Sequence, residues 1–548
     1  MTKGCNCESS SLQHGEWERL LRLFIQPDTE ADRAKLVGYM EQIFFGLQEF
    51  LLKHVGVTEE ISLKELAQGY MDSTISFHHE KKLPEVISDI IENLAPNAVN
   101  ISSPYFVGHM TSAIPFFMVF FKALVAALNQ NVVKIETSKV FSIVERQVLA
   151  KIHRLIYGFD TAFYEENVQS LETTLGVFTE GGTTANLTAL WVARNRLLGP
   201  KEGFEGVEKE GLVEAYRAYG IERCVILVSK RGHYSLRKSV GVLGLGSQSL
   251  VPIEVDAENR ICLPVLRRKI AEFKSDPKTM ILAVIGIAGA TETGTVDPLR
   301  KMAEICREAG IHFHVDAAWG GPTLMSDRYR HLLDGIELAD SVTIDGHKQF
   351  YMPMTCGMVY FRDPNHMDAI SYHANYILRR GSVDLGIRSL SGTREAHSLV
   401  LDSALKVMGR RGYAMLIDHG IALARDFADE IRKRDNFQLV TMPELNILTY
   451  RFCPTPLKKK LLSSPRAERI RINEKLNDIN INIQRTQREA GKSFVSRTAI
   501  DKGAPGGAET VVLRVVLMNP LTTIEILNEI LDEQESLFQK LYGDEALF

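Results

Sequence analysis

Apolar residues recur at helical spacing in the first part of the chain. The first hundred residues show this pattern, and Val140, Val144, Val148, Ile152 and Leu155 continue one apolar face. We therefore predict that the chain begins with helices.

Short, continuous apolar runs alternate with helical patterns between Gly176 and about Phe361. Val225 to Val228, Met280 to Ile287 and Ile311 to Val315 are such runs, and the last contains two histidines. Runs of this kind are typical of strands buried on both faces of a parallel sheet. Their alternation with helices predicts an α/β domain with a mostly parallel sheet.

One intervening helix has well-defined ends in the sequence. Asp297 is placed to cap it, Pro298 would take its first position, and Gly310 would end it. We expect four of its residues to face inward: Leu299, Met302, Ala303 and Cys306.

The region after Gly392 starts with a long helical stretch and then mixes strands with helices. Strands are predicted within residues 439–452 and 511–517, and the last helix starts with Thr522 and Glu525 at capping-box spacing. This pattern predicts a small α+β domain. We therefore divide the chain into a helical N-terminal segment (1–110), a large α/β domain (111–395) and a C-terminal domain (396–548).

The longest apolar stretch, Ala113 to Leu128, is interrupted by Lys122 and is too short and mixed to span a membrane. It fits a buried or interfacial helix. The polar N-terminus lacks the apolar segment of a signal peptide. The 64 Lys and Arg residues nearly balance the 68 Asp and Glu residues, which argues against binding to nucleic acid or a membrane surface.

Seven cysteines are scattered along the chain. Their odd number and irregular spacing indicate reduced thiols in a cytoplasmic protein and not a disulfide framework. Cys5 and Cys7 could bind a metal, but no second Cys/His pair lies near them in the sequence. We therefore predict no metal site.

Asp316 follows an apolar run, in the segment HVDAAWGG that starts at His314. A carboxylate in this position lies at the C-terminal edge of an α/β sheet, where ligands bind, and a buried carboxylate needs a cationic partner. The protonated pyridine nitrogen of pyridoxal 5′-phosphate (PLP) is such a partner. Ala318 and Gly320-Gly321 leave room for a flat ring. An Asp that only caps a turn is the alternative.

Lys348 ends another apolar run, in the segment ADSVTIDGHK that starts at Ala339. A desolvated lysine amine has a lowered pKa and forms Schiff bases. A surface lysine is the more common case for a residue of this type. The neighbouring His347 is placed to reach a phosphate.

Two further segments suit the same ligand. The segment GGTTAN, residues 181–186, opens a helix whose free N–H groups and hydroxyls form an anion site suited to a phosphate. By itself it is only a Gly-rich helix cap. His233, a few residues after the Val225–Val228 run, could stack on a flat cofactor, although a structural histidine is the default for such a residue.

In combination these segments resemble the group II PLP-dependent decarboxylases of fold type I, which include glutamate, aromatic-amino-acid and diaminobutyrate decarboxylases. Besides HVDAAWGG, DSVTIDGHK and GGTTAN, the resemblance includes Pro104-Tyr105-Phe106, AGATETGTVDP (288–298), and LRVV (513–516) with Asn519-Pro520. Within the family, the chain is most similar to the bacterial glutamate-decarboxylase-like branch that includes PLP-dependent aspartate 1-decarboxylases. The resemblance implies a fold-type-I PLP-dependent transferase-like large domain. It also implies a homodimer with active sites near the subunit interface and with the N-terminal segment in dimerisation.

The resemblance implies a role for each matching residue. Lys348 would carry PLP, Asp316 would pair with the ring nitrogen, and His233 would stack on the ring and act in catalysis. Further cofactor contacts are implied for Thr184, Ala185, Thr291, Asp345 and His347. Asp345-Gly346 stands where many relatives have Asn-Pro, so the resemblance leaves the contact of Asp345 open.

Substrate binding is implied for His109, Ser112 and Arg514. Arg514 would hold the α-carboxylate, since a guanidinium can bind a carboxylate with two hydrogen bonds. In relatives a loop tyrosine then protonates the product carbon. Here that loop spans roughly residues 372–384 and Tyr376 is the candidate, with packing inside the loop as the alternative.

The preferred substrate is predicted from the residue at position 109. Glutamate decarboxylases commonly carry Gln at the position of His109, and a His could pair with a side-chain carboxylate. This favours decarboxylation of L-aspartate to β-alanine, with L-glutamate as the alternative; His109 could equally be a core histidine. An aminotransferase, another PLP lyase and a catalytically lapsed scaffold are more distant alternatives, and the retention of Lys348 and Asp316 argues against the scaffold.

Overall fold

The computed structural model describes residues 29–52, 55–56, 63–373, 382, 384–501 and 509–543. These residues form two compact units. One contains the described residues up to Ser103 with Glu489–Gly491, and the other contains Pro104–Arg488 with the described residues from Lys492 onward. The division at residues 110 and 395 is finer than these units and stays a prediction.

The described part of the N-terminal unit is helical, as predicted. Thr29 caps its first helix by accepting a hydrogen bond from the backbone N–H of Asp32 at 3.1 Å. The helices are α1 (Glu30–Gly46), α2 (Gln48–Leu52), α3 (Leu63–Gln68) and α4 (Leu83–Asp89).

The second unit also opens with helices: α5 (Phe116–Leu128), α6 (Ile135–Ser138), α7 (Val140–Tyr157) and α8 (Thr161–Asn167). On α7 the predicted apolar face is buried at Val148 and Ile152, whereas Val140 is exposed. Helix α5 occupies the long apolar stretch. Among the described helices, none combines the length and the apolar character needed to cross a membrane.

In the described part of the second unit, seven strands form one sheet in the order β1-β7-β6-β5-β4-β2-β3. The strands are β1 (Gly176–Thr179), β2 (Arg223–Ser229), β3 (Leu250–Ile253), β4 (Thr279–Ile287), β5 (His312–Asp316), β6 (Ser341–Asp345) and β7 (Gly357–Phe361). Strand β7 is antiparallel to both neighbours, and the remaining pairs are parallel. The predicted mostly parallel α/β sheet is therefore confirmed. The helices that alternate with these strands are α9 (Gly182–Leu197), α10 (Val207–Tyr219), α11 (Ser235–Val242), α12 (Leu263–Ser275) and α13 (Leu299–Ala309).

Helix α13 shows where the prediction of its ends succeeded and where it failed. Gly310 ends the helix with φ 63°, and the four residues expected to face inward are buried. The predicted cap is wrong, because Pro298 takes the cap position and the side chain of Asp297 accepts no hydrogen bond from the helix. The Asp297 carboxylate instead accepts the backbone N–H groups of Ile261 at 2.7 Å and Ile287 at 2.9 Å.

The C-terminal region confirms the predicted small α+β arrangement. Its antiparallel sheet has the order β10-β11-β9-β8 in the described residues. The elements are α14 (His397–Lys433), β8 (Phe437–Thr441), β9 (Ile447–Phe452), α15 (Thr455–Ser463), α16 (Arg466–Ala490), β10 (Ser496–Ile500), β11 (Thr510–Val516) and α17 (Ile524–Tyr542).

The predicted cap of the last helix is displaced by one residue. The Thr523 hydroxyl accepts the N–H of Ile526 at 3.5 Å, while Thr522 donates to the carbonyl of Pro104 at 2.7 Å. Next to this contact, Val107 donates to Phe494 O at 3.0 Å and accepts from Val516 N at 2.7 Å. These bonds place the segment that carries His109 against the small sheet.

Candidate active site

A cavity of about 500 Å³ lies at the C-terminal ends of the parallel strands of the large sheet. Ligands bind at this edge of open α/β sheets, because the segments that follow the strands converge there. We call sheet side the lining residues that follow the strands or open α9: Gly181, Gly182, Thr183, Thr184, His233, Asp316, Asp345, His347 and Lys348. We call arginine side Arg514 together with Thr291, which bonds to it, and with His109 and Thr111.

Asp316 ends β5 with its carboxylate held by two N–H donors. Oδ2 accepts the side-chain amide of Asn186 at 2.9 Å, and Oδ1 accepts the backbone N–H of Ala318 at 3.1 Å. The residue is only 7% exposed, and it has no ion pair within the described residues. A buried carboxylate without a cation is costly, so Asp316 suits a cationic ligand atom in the cavity.

Lys348 lies inside the cavity and is not a surface lysine. Its Nζ is 3.1 Å from Asp345 Oδ2, and its side chain is 18% exposed. The other oxygen of Asp345, Oδ1, is buried without a hydrogen-bond partner in the described part of the chain. The lysine amine is therefore fixed by a carboxylate that keeps one oxygen available to a ligand.

The start of α9 forms a cradle next to Asp345. Its cap residue, Gly181, provides no side-chain bond to the first-turn N–H groups. A Cβ on Gly182 would lie 2.9 Å from Asp345 Oδ2, so the close approach requires glycine. Free N–H groups at a helix N-terminus favour an anion such as a phosphate.

Three predicted phosphate ligands differ in their position relative to this cradle. His347 donates its Nδ1 proton to the carbonyl of Cys356 at 2.6 Å, and its Nε2 is 3.8 Å from Asp345 Oδ2. Thr184 lines the cavity. Ala185 does not line it, because its side chain is buried and its N–H donates to Gly181 O at 3.0 Å within the helix.

His233 faces the cavity with a defined tautomer. The backbone N–H of Ser235 points to His233 Nδ1 at 3.3 Å, and the Ser235 hydroxyl lies 2.8 Å from the same nitrogen. Nδ1 is therefore the acceptor and Nε2 carries the proton. Burial lowers the pKa of His233, an effect that the nearby Asp316 carboxylate partly opposes. The imidazole is thus neutral at physiological pH and can lie against an uncharged or aromatic surface.

Arg514 is a buried cation held by neutral groups. Its Nε donates to Ser496 Oγ at 3.0 Å, and its two terminal nitrogens donate to Thr291 O at 2.8 Å and Gly108 O at 3.0 Å. Within the described residues it has no ion pair. Burial lowers the pKa of Arg514 and the Glu292 carboxylate raises it, but a guanidinium stays protonated in proteins. Two of its five N–H groups remain for an anion in the cavity.

The remaining substrate candidates differ in their placement. His109 lines the cavity, and its Nδ1 lies 3.1 Å from Thr111 Oγ1. Its pKa is lowered by burial first and then by the positive charges of Arg514 and Lys348. Ser112 is buried and does not line the cavity. Tyr376, like the Cys5–Cys7 pair, lies outside the described residues.

The cavity also contains residues to which the sequence assigned no role. Asn186, from the GGTTAN segment, fixes Asp316; its signal was a polar side chain at an inward position of a buried helix. Arg231 also lines the cavity. Unlike Arg514, it is neutralised, by Glu292 at 2.9 Å and Asp501 at 2.8 Å.

These residues fit PLP in the chemistry of their donors and acceptors. The α9 cradle suits a phosphate, Asp316 suits a protonated ring nitrogen, and Lys348 provides an amine. Ala318, whose side chain is small, also lines the cavity. The free oxygen of Asp345 and the unpaired guanidinium of Arg514 are further places where a bound polar molecule would satisfy a buried group.

Comparison with known proteins identifies the same chemistry. The family described as pyridoxal-dependent decarboxylase conserved domain matches residues 68–453. Aspartate 1-decarboxylase of Aliivibrio fischeri is 48% identical over 521 residues, which cover 95% of this chain and 94% of the relative. L-2,4-Diaminobutyrate decarboxylase of Acinetobacter baumannii is 28% identical and covers 72% of this chain and 75% of its own. The crystal structure of mouse CSAD superimposes with a TM-score of 0.79 at 26% identity, over 92% of this chain and all of the other. This chain therefore belongs to the pyridoxal-dependent decarboxylase family, and it is an enzyme whose cofactor is PLP.

Proposed function

We propose that the enzyme removes the α-carboxylate of L-aspartate and yields CO2 and β-alanine. The observation that carries the proposal is the buried, unpaired guanidinium of Arg514 in the same cavity as Lys348 and Asp316. An amino acid carboxylate is the anion that this cation lacks. The choice of aspartate is supported by the 48% identity to the A. fischeri aspartate 1-decarboxylase.

In the proposed mechanism each residue acts through a contact that its position allows. Lys348 would supply the amine that attaches PLP, Asp316 would accept a hydrogen bond from its ring nitrogen, and His233 would lie against the ring. Bound PLP supplies an electron sink for the electron pair that remains on Cα when CO2 leaves. Arg514 holds the α-carboxylate with its two free N–H groups and so orients the bond that breaks.

Phosphate binding and protonation complete the assignment. We assign the phosphate to the first turn of α9, with Thr184, and to His347; Ala185 stays only a predicted ligand, because its N–H donates to Gly181 O within the helix. Thr291 positions Arg514 through its carbonyl, and Asp345 holds the Lys348 amine when that amine is free. Ser112 stays a predicted substrate ligand, and Tyr376 is the proposed proton donor to Cα.

His109 is the proposed selector for an acidic side chain. If Nδ1 accepts the Thr111 hydroxyl, Nε2 carries the proton and can donate it to the second carboxylate of the substrate. Besides burial, the positive charge of Arg514 lowers the pKa of His109, so the two side chains lie close together. Nε2 of His109 and the guanidinium of Arg514 therefore suit the two carboxylates of a small dicarboxylic amino acid.

The test is the release of CO2 by the purified, PLP-saturated enzyme from separate amino acids. We expect L-aspartate to be turned over fastest, ahead of L-glutamate, L-2,4-diaminobutyrate and aromatic amino acids. A strong preference for L-glutamate would contradict the assignment of L-aspartate as the substrate but not the assignment of a decarboxylation. If turnover required a keto acid and released no CO2, the enzyme would be an aminotransferase and not a decarboxylase.

We also infer that the enzyme is a cytoplasmic homodimer. Helix α5 exposes an apolar stripe at helical spacing, with Phe116 76%, Phe120 46% and Leu124 46% exposed. The stripe starts a few residues after the cavity-lining His109, so a second copy that covers it lies near the active site. In the described part of the chain the cysteines are free, which suits a reducing compartment.

The dimer is tested by light scattering coupled to size-exclusion chromatography. We expect Phe120→Glu to give monomers of low activity, because a charge would be buried in the interface. The matched control is Leu462→Glu on α15, which replaces another exposed apolar side chain. A monomeric wild-type enzyme with full turnover would contradict the inference.

A further inference from the structure

Strand β5 presents polar side chains at every second position, at His312, His314 and Asp316. Residues two apart in a strand share a face, so the three lie in a row. Helix α9 packs over this part of the sheet and contributes Asn186, which is buried together with His314. Buried polar groups are costly unless they are hydrogen-bonded, so this row requires partners along its whole length.

The partners form one continuous chain of hydrogen bonds that starts at Asp316. Asp316 Oδ2 and Asn186 Nδ2 are 2.9 Å apart, and Asn186 Oδ1 lies 2.9 Å from His314 Nε2. His314 Nδ1 lies 2.9 Å from the hydroxyl of Ser341, the residue of β6 that is in register with it. The same hydroxyl lies 2.9 Å from His312 Nε2.

With a neutral His314, these hydrogen bonds have only one consistent direction. A carboxylate only accepts, so Asn186 donates its amide N–H to Asp316 and must accept from His314 Nε2. His314 Nδ1 then accepts the Ser341 proton, and the Ser341 oxygen accepts from His312. This requires a neutral His314, and burial lowers the pKa of His314 to about 4, against a smaller opposing effect of Asp316.

We propose that Asn186, His314, Ser341 and His312 form a positioning relay that fixes the carboxylate of Asp316 towards the ring nitrogen of PLP. The inference rests on the proposed role of Asp316. Asn186 holds one oxygen of the carboxylate and Ala318 holds the other, so the group cannot rotate and each oxygen keeps a lone pair for the ligand. His314 and Ser341 do not line the cavity and act only through Asn186.

Ser341→Ala is the sharpest test, because it removes one hydroxyl far from the ligand. At saturating PLP, we expect kcat to fall about 3- to 10-fold, KM to stay within about twofold, and the dissociation constant of PLP to rise several-fold. Removing a residue that directly orients a ligating group typically lowers affinity or activity about 10- to 100-fold. We expect a smaller effect here because Ser341 is two hydrogen bonds further from Asp316 than Asn186 is. The dissociation constant is measured by titrating apoenzyme while following the visible absorption of bound PLP.

The matched control is Thr343→Val, on the same face of β6. Thr343 is also fully buried, and in the described part of the chain its hydroxyl has no hydrogen-bond partner. We expect this variant to keep the wild-type kcat, absorption spectrum and PLP affinity. If Ser341→Ala and Thr343→Val behave alike in all three, the relay is refuted.

A second pair of variants separates geometry from packing. His314→Gln can still donate to Asn186 and accept from Ser341, whereas His314→Leu can do neither. We expect His314→Gln to retain most of the PLP affinity that His314→Leu loses. Equal values for both would contradict the relay.

Asp316→Asn distinguishes failure of the relay from failure of the proposed function. If it abolishes turnover while Ser341→Ala and His314→Leu are silent, only the relay fails. If Asp316→Asn itself leaves turnover and the absorption spectrum unchanged, the assignment of Asp316 fails.

Discussion

The sheet side and the arginine side of the cavity are built in different ways. On the sheet side, Asp316, Asp345 and Lys348 lie at the ends of adjacent strands, and β5 and β6 are paired in register. On the arginine side, Arg514 is held by carbonyls of residues 223 and 406 positions away. One side is fixed by the topology of a single sheet, and the other needs the small sheet and the segment near Gly108 to come together. We therefore expect loss of cofactor binding and loss of substrate binding to be separable.

The largest effect should come from the sheet side, through Lys348→Ala. Removing the amine that attaches the cofactor should lower kcat by about 10³-fold or more, since covalent catalytic groups contribute at least that much. The measurement is CO2 release together with the absorption spectrum of bound PLP. Lys301→Ala, at an exposed position of α13, should behave as wild type. Full turnover of Lys348→Ala would refute the whole assignment.

Arg514→Gln should damage the arginine side alone. We expect kcat/KM to fall by about 10²- to 10³-fold, because a charge-assisted pair with the α-carboxylate is lost, while PLP affinity stays within about threefold. The control is Arg451→Gln on β9, another buried arginine held by neutral side chains, Gln438 and Asn473, that does not line the cavity. A large loss of PLP affinity in Arg514→Gln would show that the two sides are not independent.

The same contrast explains what the sequence could predict. Lys348, Asp316 and His233 were predicted to lie close together, and all three line the same cavity, since each ends or follows a strand and strand ends converge. The relay was invisible because Asn186 and His314 are 128 residues apart, and only the fold brings them together. The predicted helix cap at Asp297 is wrong for a similar reason: the N–H donors that its carboxylate binds lie on other segments and compete with the local helix end.

His109 tests whether the arginine side also selects the substrate. We expect His109→Gln to lower the ratio of kcat/KM for aspartate over glutamate by about 10-fold, since a single pocket contact is worth about 1–3 kcal/mol of discrimination. PLP affinity should not change, because the sheet side is intact. The measurement is CO2 release from each amino acid by both proteins. An unchanged ratio would assign His109 to packing with Thr111 and leave the selectivity to other residues.

The smallest expected effect concerns stability and not turnover. It follows from a comparison of two buried histidines, His314 on β5 and His153 on α7. His153 bonds to the Tyr164 hydroxyl at 2.9 Å and to Phe361 O at 3.0 Å. Burial lowers the pKa of both histidines to about 4. Between pH 6.5 and 4 the unfolded chain therefore binds protons that the folded chain does not, so the free energy of unfolding falls as the pH falls, by about 2 kcal/mol per histidine at about pH 5.

His153→Gln should weaken this pH dependence, because glutamine does not titrate, and should keep kcat at neutral pH, because His153 does not line the cavity. Urea unfolding of the PLP-bound enzyme at about pH 7 and pH 5 measures the difference between the two free energies of unfolding. The variant should lose less stability than the wild type over this interval, even if it is less stable at pH 7. An identical loss of unfolding free energy in both proteins would mean that His153 has the same pKa in the folded and unfolded states. The imidazole would then become exposed to solvent before it binds a proton.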